Sequence, residues 1–335
     1  MRNCALVPAA LVASPFLLLL GASLVPMPPA GEPALAVVEK IAGAVGFYTA
    51  EGTRLSGVKV GEHPHEIVLS PDRRTLYVSD NGILWMTNPG EGGNTISIID
   101  VATRRKTGVI DLGGYRRPHG LDIHPVSGRM VSTIENPDGL LLIDPVARKV
   151  LRKYDTGGGD PHMVLFDASG AWAYVSNTAT HTVAAIHLAS GEVKLIPTDA
   201  RPQGGVRTRD GRRIYLTNAD GKSISIIDTS TRNRVGVIRS TGGPARVALT
   251  PDEKTLVYNI EGNAVGFADV ASRKETAVVG LGGRPLSLTL SRDGRLAYLG
   301  IQDQDKIIVV SVAGRRIIRV IETPKGSGPD PVLPL

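Results

Sequence analysis

The stretch HPHEIVLSPDRRTLYVSD, residues 63–80, is the unit from which this chain is built. It contains a leading proline, a short apolar strand at 67–69, a turn at 70–72 and a second strand ending in Tyr77 and Val78. The same order returns in five later stretches: RPHGLDIHPVSGRMVS, DPHMVLFDASGAWAYVSN, RPQGGVRTRDGRRIYLTN, GPARVALTPDEKTLVYN and RPLSLTLSRDGRLAYLG. Self-similarity of this kind predicts a repeat protein.

The spacing of the repeats indicates the architecture. The leading prolines are Pro64, Pro118, Pro161, Pro202, Pro244 and Pro285, and they lie 54, 43, 41, 42 and 41 residues apart. Each repeat carries four strand signals, which in the first repeat are HEIVLS, TLYVSD, NTISIID and KTGVIDL. Four strands in about 42 residues are typical of one blade of a β-propeller.

Fragments at the two ends of the chain complete one more blade. Before the first repeat, ALAVVEK, AVGFYTA and RLSGVKV match the last three strands of a blade. At the carboxyl terminus, GSGPDPVLPL restarts the repeat at Pro329. We therefore predict one all-β domain over residues 37–335, a seven-bladed β-propeller of four-stranded antiparallel blades. The carboxyl-terminal strand is predicted to join the amino-terminal blade, so that neither strand is a free edge.

The recurring second strand resembles a known family. LYVSD at Leu76, AYVSN at Ala173 and IYLTN at Ile214 are similar to the YVTN-type β-propeller repeat, as are the leading proline and the turn after the first strand. Propellers of this kind include surface-layer and periplasmic binding proteins, metal-handling proteins, lactonases and haem-carrying domains. The resemblance therefore implies a fold and leaves the activity open.

Residues 1–36 are predicted to be an export signal. Arg2 precedes an apolar run at 5–25, and Ala34, Leu35 and Ala36 form a small-residue cleavage site. The run is also long enough to cross a bilayer, so an uncleaved anchor is the alternative, and membrane attachment is expected only in that case. Either reading places the folded domain in the periplasm or outside the cell.

Composition excludes several kinds of site. The single cysteine, Cys4, lies inside the predicted signal, which excludes disulfides, zinc–thiolate sites and cysteine nucleophiles from the exported domain. The net charge of +6 is spread over turns and forms no basic stripe with exposed aromatic residues, so no nucleic-acid partner is expected. Phosphate-binding loops, G-x-S-x-G and His-Glu-x-x-His are absent from the sequence.

The residue after each leading proline is the main functional prediction. Because inner strands line the central channel of a propeller, these residues form a ring: His65, His119, His162, Gln203, Ala245, Leu286 and Asp330. Three neutral histidines with Asp330 could bind zinc, copper or iron. Protonated histidines could instead hold a small anion, assisted by Gln203, Arg117, Arg201 and Arg284. The alternative without a ligand is that each histidine bonds the backbone of the next blade.

Two further features are predicted at the same mouth. The loops between second and third strands carry a second polar ring: Asp80, Asn81, Glu135, Asn136, Asn177, Asn218 and Gln302. Glu135 is the candidate catalytic residue, as a general base or ligand. The oversized 79–94 loop, SDNGILWMTNPGEGGN, is predicted to cover the channel with Trp85, to dock an exported protein, or to pack on its own blade.

The favoured function is an exported binding protein that holds a transition-metal ion or small anion at the channel mouth. Two alternatives remain. One is a metal-assisted, lactonase-like hydrolase in which a bound cation polarises a carbonyl. The other is a scaffold that binds a protein partner through the 79–94 loop.

Overall fold

The computed structural model describes Met1 and residues 32–335. Most of the predicted signal, including its apolar run, lies outside the described residues. Among the residues that are described, no helix is long and apolar enough to cross a membrane.

The described chain forms seven four-stranded antiparallel sheets, which confirms the predicted fold class. The first three complete blades contain β4 (Pro64–Leu69), β5 (Thr75–Asp80), β6 (Thr95–Asp100) and β7 (Arg105–Asp111); β8 (Arg116–Ile123), β9 (Met130–Asn136), β10 (Asp138–Asp144) and β11 (Lys149–Tyr154); and β12 (Pro161–Phe166), β13 (Trp172–Asn177), β14 (Thr182–His187) and β15 (Val193–Pro197).

The next three blades follow the same order along the chain. They contain β16 (Pro202–Arg207), β17 (Arg213–Asn218), β18 (Ser223–Asp228) and β19 (Asn233–Arg239); β20 (Pro244–Leu249), β21 (Thr255–Ile260), β22 (Ala264–Asp269) and β23 (Lys274–Gly280); and β24 (Thr289–Leu290), β25 (Leu296–Ile301), β26 (Lys306–Ser311) and β27 (Arg316–Glu322). One 3₁₀ turn, Gln302–Gln304, joins β25 to β26.

The seventh blade is built from both ends of the chain, as predicted. Its strand order is β28 (Pro329–Pro334), β1 (Leu35–Glu39), β2 (Ala44–Tyr48) and β3 (Arg54–Lys59). Leu35 of β1 lies opposite Pro334 of β28, and Val37 lies opposite Val332. Strand β1 thus already includes Leu35 and Ala36, both fully buried and both part of the predicted cleavage site.

The core consists of the layers between neighbouring blades. Because each blade is sandwiched between two others, its second and third strands are buried on both faces and read as continuous apolar runs. One layer combines Val38 and Val45 of the closing blade with Ile67 and Val78 of the next. The outermost strands face solvent, as β27 shows with six of its seven residues exposed.

In several blades, a hydroxyl group near the end of the second strand forms a hydrogen bond to the backbone of the next blade. Ser79 donates to the carbonyl of His119 at 2.9 Å, Thr133 to that of His162 at 2.7 Å, and Thr217 to that of Ala245 at 2.8 Å. In every case the acceptor is a residue of the predicted ring. The Ser or Thr of the repeat therefore fixes the backbone of the ring residue in the following blade.

The inner strands are irregular at the ring itself. Pairing of β4 with β5 shifts register between Pro64 and Ile67, and the same shift recurs in the four blades that follow. A β-bulge of this kind re-aims side chains and frees them from the ladder. The residues after the leading prolines consequently point into the channel mouth, where the candidate site lies.

Candidate functional site

A cavity of about 410 Å³ occupies the channel mouth. All seven ring residues line it, as do the side chains of Arg201, Arg284 and Trp85. The sequence-based placement of these residues at one mouth therefore matches the geometry of the structure. Glu135 and Arg117 do not line the cavity; they lie behind His119.

Three buried histidines form its centre. The ring centroids of His65 and His119 are 4.4 Å apart, as are those of His119 and His162, and each pair meets edge to face. His65 Nδ1 and His119 Nε2 face each other at 3.3 Å. The exposed fractions of the three residues are 3%, 4% and 7%, so water has little access to them.

The outer partners determine which nitrogen of each ring carries the proton. His65 Nε2 lies 2.7 Å from the carbonyl oxygen of Ile83, which can only accept, so Nε2 is protonated. His119 Nδ1 lies 2.6 Å from Glu135 Oε1, and an ionised Glu135 likewise requires a proton on Nδ1. The two remaining nitrogens then present lone pairs to each other across 3.3 Å. With Glu135 ionised, they attract only if a proton or another cation lies between them, whereas a protonated Glu135 lets His119 carry its proton on Nε2 and donate it to His65 Nδ1.

Burial keeps these imidazoles neutral. It lowers the pKa of His65, His119 and His162 well below the usual 6.5. The positive charge of Lys40 lowers the pKa of His65 and of His119 further. His162 Nδ1 is buried and has no hydrogen-bond partner in the described part of the chain.

Glu135 supports His119 from behind instead of meeting a ligand. Its carboxylate also accepts a hydrogen bond from Asn81 Nδ2 at 3.3 Å, and Arg117 lies 3.6 Å away. Burial raises the pKa of Glu135 from 4.5 to about 7, against the opposing charge of Arg117. Direct proton transfer to a molecule in the cavity is not open to Glu135 in this arrangement, because His119 stands between them.

Most charges in the cavity are paired with each other. Lys40 Nζ lies 3.1 Å from Asp330, Arg246 lies 2.7 Å from Glu66, and Arg201 contacts Glu261 through two hydrogen bonds. Asp330 is therefore engaged by Lys40 and is not a free metal ligand here. Four basic and four acidic side chains line the cavity, so its formal charge is balanced.

Lys40, Glu66, Arg246 and Glu261 were not predicted as site residues, although the repeat contains their signal. Lys40 and Glu261 begin loops between second and third strands, at the positions equivalent to Asn81 in the first repeat. Glu66 and Arg246 each follow a leading proline by two residues. Aligning the positions beside the ring, in addition to the ring itself, would have identified all four.

The 79–94 loop covers one side of the mouth. Leu84, Trp85 and Met86 line the cavity, and the Trp85 ring lies between two cations, with Lys40 Nζ at 5.4 Å and Arg284 Cζ at 5.8 Å from its centroid. Trp85 remains 39% exposed. Trp85 therefore lies at one side of the cavity, and its role in covering a ligand or docking a protein partner remains a prediction.

Arg117 fastens this loop. Its guanidinium donates to the carbonyl oxygens of Met86 at 3.3 Å, Asn88 at 2.9 Å and Gly90 at 2.6 Å. The sequence-based expectation was that Arg117 would touch the ligand. In the structure its two terminal guanidinium nitrogens bond the loop backbone, and Arg117 does not line the cavity.

We expect Arg117→Gln to loosen the loop while leaving the blades folded. The variant loses three hydrogen bonds to one segment, two of them exposed to solvent, and each contributes about 0.5–1.5 kcal/mol. Hydrogen exchange of residues 83–92 should accelerate at least about tenfold, whereas exchange in β5 and β6 should not change. Arg105→Gln, on an outer strand, is the matched control. Unchanged exchange in the loop would contradict the fastening role.

The described residues contain no three or more His, Cys, Asp or Glu side chains that already surround one metal-sized position. The facing pair His65 and His119, with the unpartnered His162 beside it, is the nearest arrangement to a metal site that this part of the chain offers.

Comparison with known proteins supports the fold. No family model matches the sequence. The "Uncharacterized protein YncE" of Salmonella typhi is 24% identical over 201 residues, and that of Salmonella typhimurium is 26% identical over 202. Both matches cover 58% of this chain and 53% of the relative. The chain therefore spans about half the length of the curated relatives it matches.

Solved structures give broader coverage at lower identity. A functionally unknown protein from Desulfotomaculum acetoxidans matches with a TM-score of 0.76 and 13% identity, over 90% of this chain and 98% of that one. Dihydro-heme d1 dehydrogenase NirN in complex with DHE matches with a TM-score of 0.67 and 14% identity, over 92% of this chain and 78% of that one. Kuenenia stuttgartiensis hydrazine synthase matches with a TM-score of 0.64 and 16% identity, over 78% of this chain and 86% of that one.

At these identities the solved structures show the fold alone. The YVTN-type assignment of the repeat stays a prediction, because no family model matches the sequence. Together with the strand order of the seven blades, the comparisons support one conclusion: the chain is a repeat-built, seven-bladed β-propeller with distant YncE-like relatives.

Proposed function

We propose that this protein is an exported binding protein whose channel mouth holds a divalent transition-metal ion, zinc or copper, on His65 and His119, with His162 as a further ligand. The observation that carries the proposal is the pair of facing nitrogens, His65 Nδ1 and His119 Nε2, 3.3 Å apart. The proposed location in the periplasm or outside the cell rests on the predicted signal.

The histidine pair has the features of metal ligands. Two nitrogens bound at 2.0–2.1 Å to a tetrahedral zinc ion lie about 3.3 Å apart, which is the separation seen. Metal-binding histidines usually donate their other N–H to a backbone carbonyl or a carboxylate. His65 donates to the Ile83 carbonyl and His119 to Glu135, so both outer contacts are of the required kind.

The same observations disfavour a small anion held by imidazolium groups. Such a site needs protonated rings, but burial lowers the pKa of all three histidines. Lys40, Arg201 and Arg246 are each paired with a carboxylate, which leaves the cavity without a large positive field. No observation favours the hydrolase alternative, because Glu135 does not reach the cavity.

Titration of zinc and copper into the full chain tests the proposal. His65→Ala and His119→Ala should each weaken binding more than about 100-fold, and Glu135→Gln should weaken it about 10–100-fold, because Glu135 orients His119. The double histidine variant should lose little more than either single one, since the ligands act as a unit. His187→Ala is the matched control, because His187 does not line the cavity and contacts Ser190 and Trp172 instead.

The pH dependence separates a metal from an anion. Protons compete with a metal only below the pKa of the ligand, and here that pKa is depressed. Zinc affinity should therefore hold through about pH 6.5, the usual histidine pKa, and decline only well below it. Phosphate affinity that rises on acidification, without any metal binding, would overturn the proposal in favour of the anion.

A further inference from the structure

A second groove lies on the other side of Trp85. It has a volume of about 140 Å³ and is lined by the apolar side chains of Ile41, Leu84, Trp85 and Leu286, together with Arg284, Gln302 and Asp303. Leu84, Trp85, Arg284 and Leu286 also line the histidine cavity. The two spaces therefore share a wall, with Trp85 in it.

The groove contains an unsatisfied carboxamide. Gln302 is only 5% exposed, and neither its side-chain oxygen nor its nitrogen has a hydrogen-bond partner in the described part of the chain. An unsatisfied buried polar group costs about 1–3 kcal/mol. A Gln carboxamide offers one acceptor and two donors side by side, and a secondary amide, with one N–H and one C=O, is its complement.

Arg284 supplies the charge of the groove. The other three basic side chains of the histidine cavity are paired with carboxylates, whereas Arg284 forms no such pair among the described residues and contacts the Trp85 ring. A guanidinium that has no carboxylate partner within the protein is suited to binding the carboxylate of a ligand. Asp303 lines only the groove, so a bound carboxylate belongs at the Arg284 end, away from Asp303.

The apolar wall sets the remaining requirement. Ile41 is 47% exposed and Trp85 39% exposed, although both are large apolar side chains. A volume of about 140 Å³ accommodates one side chain of about leucine size. The occupant therefore combines an aliphatic group, a secondary amide and a carboxylate within one residue.

We propose that this groove binds an N-acyl amino acid with an aliphatic side chain. The side chain packs on Ile41, Leu84 and Trp85, the carboxylate pairs with Arg284, and the amide forms a hydrogen bond with Gln302 after the buried Gln302 side chain rotates toward it. This site is separate from the histidines, and its occupation does not require a metal.

Fluorescence of Trp85 provides the assay. The sequence contains two tryptophans, so Trp172→Phe leaves Trp85 as the single reporter. In that background we expect N-acetyl-leucine to bind with a saturable change in Trp85 emission. N-acetyl-leucinamide lacks the carboxylate and 4-methylpentanoate lacks the amide, and each should bind at least about tenfold more weakly, the loss of one good hydrogen bond or ion pair.

Two variants assign the contacts. Gln302→Leu should weaken N-acetyl-leucine about tenfold and abolish its advantage over 4-methylpentanoate, without lowering the melting temperature, because it removes an unsatisfied polar group. Arg284→Gln should abolish the advantage over N-acetyl-leucinamide. Arg292→Gln, an exposed arginine in a turn of the same blade, should change nothing.

Three results would overturn the inference. They are the absence of any Trp85 response at millimolar N-acetyl-leucine, equal binding by Gln302→Leu and the parent, or a fall of several degrees in the melting temperature of Gln302→Leu. The last would show that Gln302 supports the fold instead of a ligand. Metal titration of Gln302→Leu keeps the two sites distinguishable, since Gln302 does not line the histidine cavity and zinc affinity should not change in this variant.

Discussion

Deletion of residues 328–335 is expected to lower the free energy of unfolding by about 5 kcal/mol or more, which is comparable to the whole stability of an average domain. The deleted segment contains β28, the innermost strand of the closing blade. Its Val332 is 1% exposed, and a buried valine contributes about 1.5–3 kcal/mol. The deletion also removes Asp330, which leaves the buried Lys40 unpaired at a cost of about 3–5 kcal/mol.

Thermal unfolding of the truncated and full chains measures this effect. Because β1 loses its partner, the truncated chain also exposes an edge strand and should aggregate more readily. A synthetic peptide of residues 327–335 should restore part of the lost stability by strand addition, and a scrambled peptide should not. An unchanged melting temperature would show that β28 does not hold the ring closed.

The fold could be predicted in detail because its signals are local and repeated. Each leading proline, turn and YVSD-like strand is readable within a few residues, and the return of the pattern at Pro329 identified the closing strand. The ring at the mouth followed by counting, since equivalent positions of successive blades must converge on one channel. His65, His119 and His162 line one cavity for this reason.

The pairing of side chains across the channel could not be predicted in the same way. Glu66 and Arg246 occupy equivalent positions in the first and fifth repeats, 180 residues apart, and nothing local indicates that they meet. The direction of the Arg117 side chain, toward the 79–94 loop and not the cavity, depends on how an irregular loop folds. Irregular loops carry no repeat period from which such contacts can be read.

The Glu66–Arg246 pair forms the base of the histidine cavity. Arg246 Nη2 lies 2.7 Å from Glu66 Oε1, and the side chains are 15% and 12% exposed. Both residues line the histidine cavity and also a second space of about 170 Å³ further along the channel. Gly204 stands at the equivalent position of the fourth repeat, where a Cβ would lie 3.1 Å from Arg246 Cδ.

Replacement of Arg246 by Met should therefore be costly. It leaves the Glu66 carboxylate buried without a counter-charge, which typically lowers the free energy of unfolding by about 3–5 kcal/mol. The double variant Glu66→Leu/Arg246→Met replaces the whole pair with apolar groups and should be close to neutral. Arg212→Met is the matched control, because Arg212 and its partner Asp210 are 82% and 57% exposed and such a pair contributes at most about 1 kcal/mol.

The loss should depend on pH in one direction. Burial already raises the pKa of Glu66 above its usual 4.5, while Arg246 opposes the rise, so the Met variant raises the pKa further. A carboxyl with a raised pKa in the folded state binds its proton more tightly there than in the unfolded chain. The destabilisation caused by the buried carboxylate is therefore absent at a pH below the pKa that the carboxyl has in the unfolded chain. It grows as the pH rises toward the pKa that the carboxyl has in the folded state. At pH 4.5, Arg246→Met should be nearly as stable as the wild type. At pH 8, its free energy of unfolding should be lower than that of the wild type by about 3–5 kcal/mol. An equal deficit at both pH values would mean that lost packing, and not the uncompensated charge, destabilises the variant.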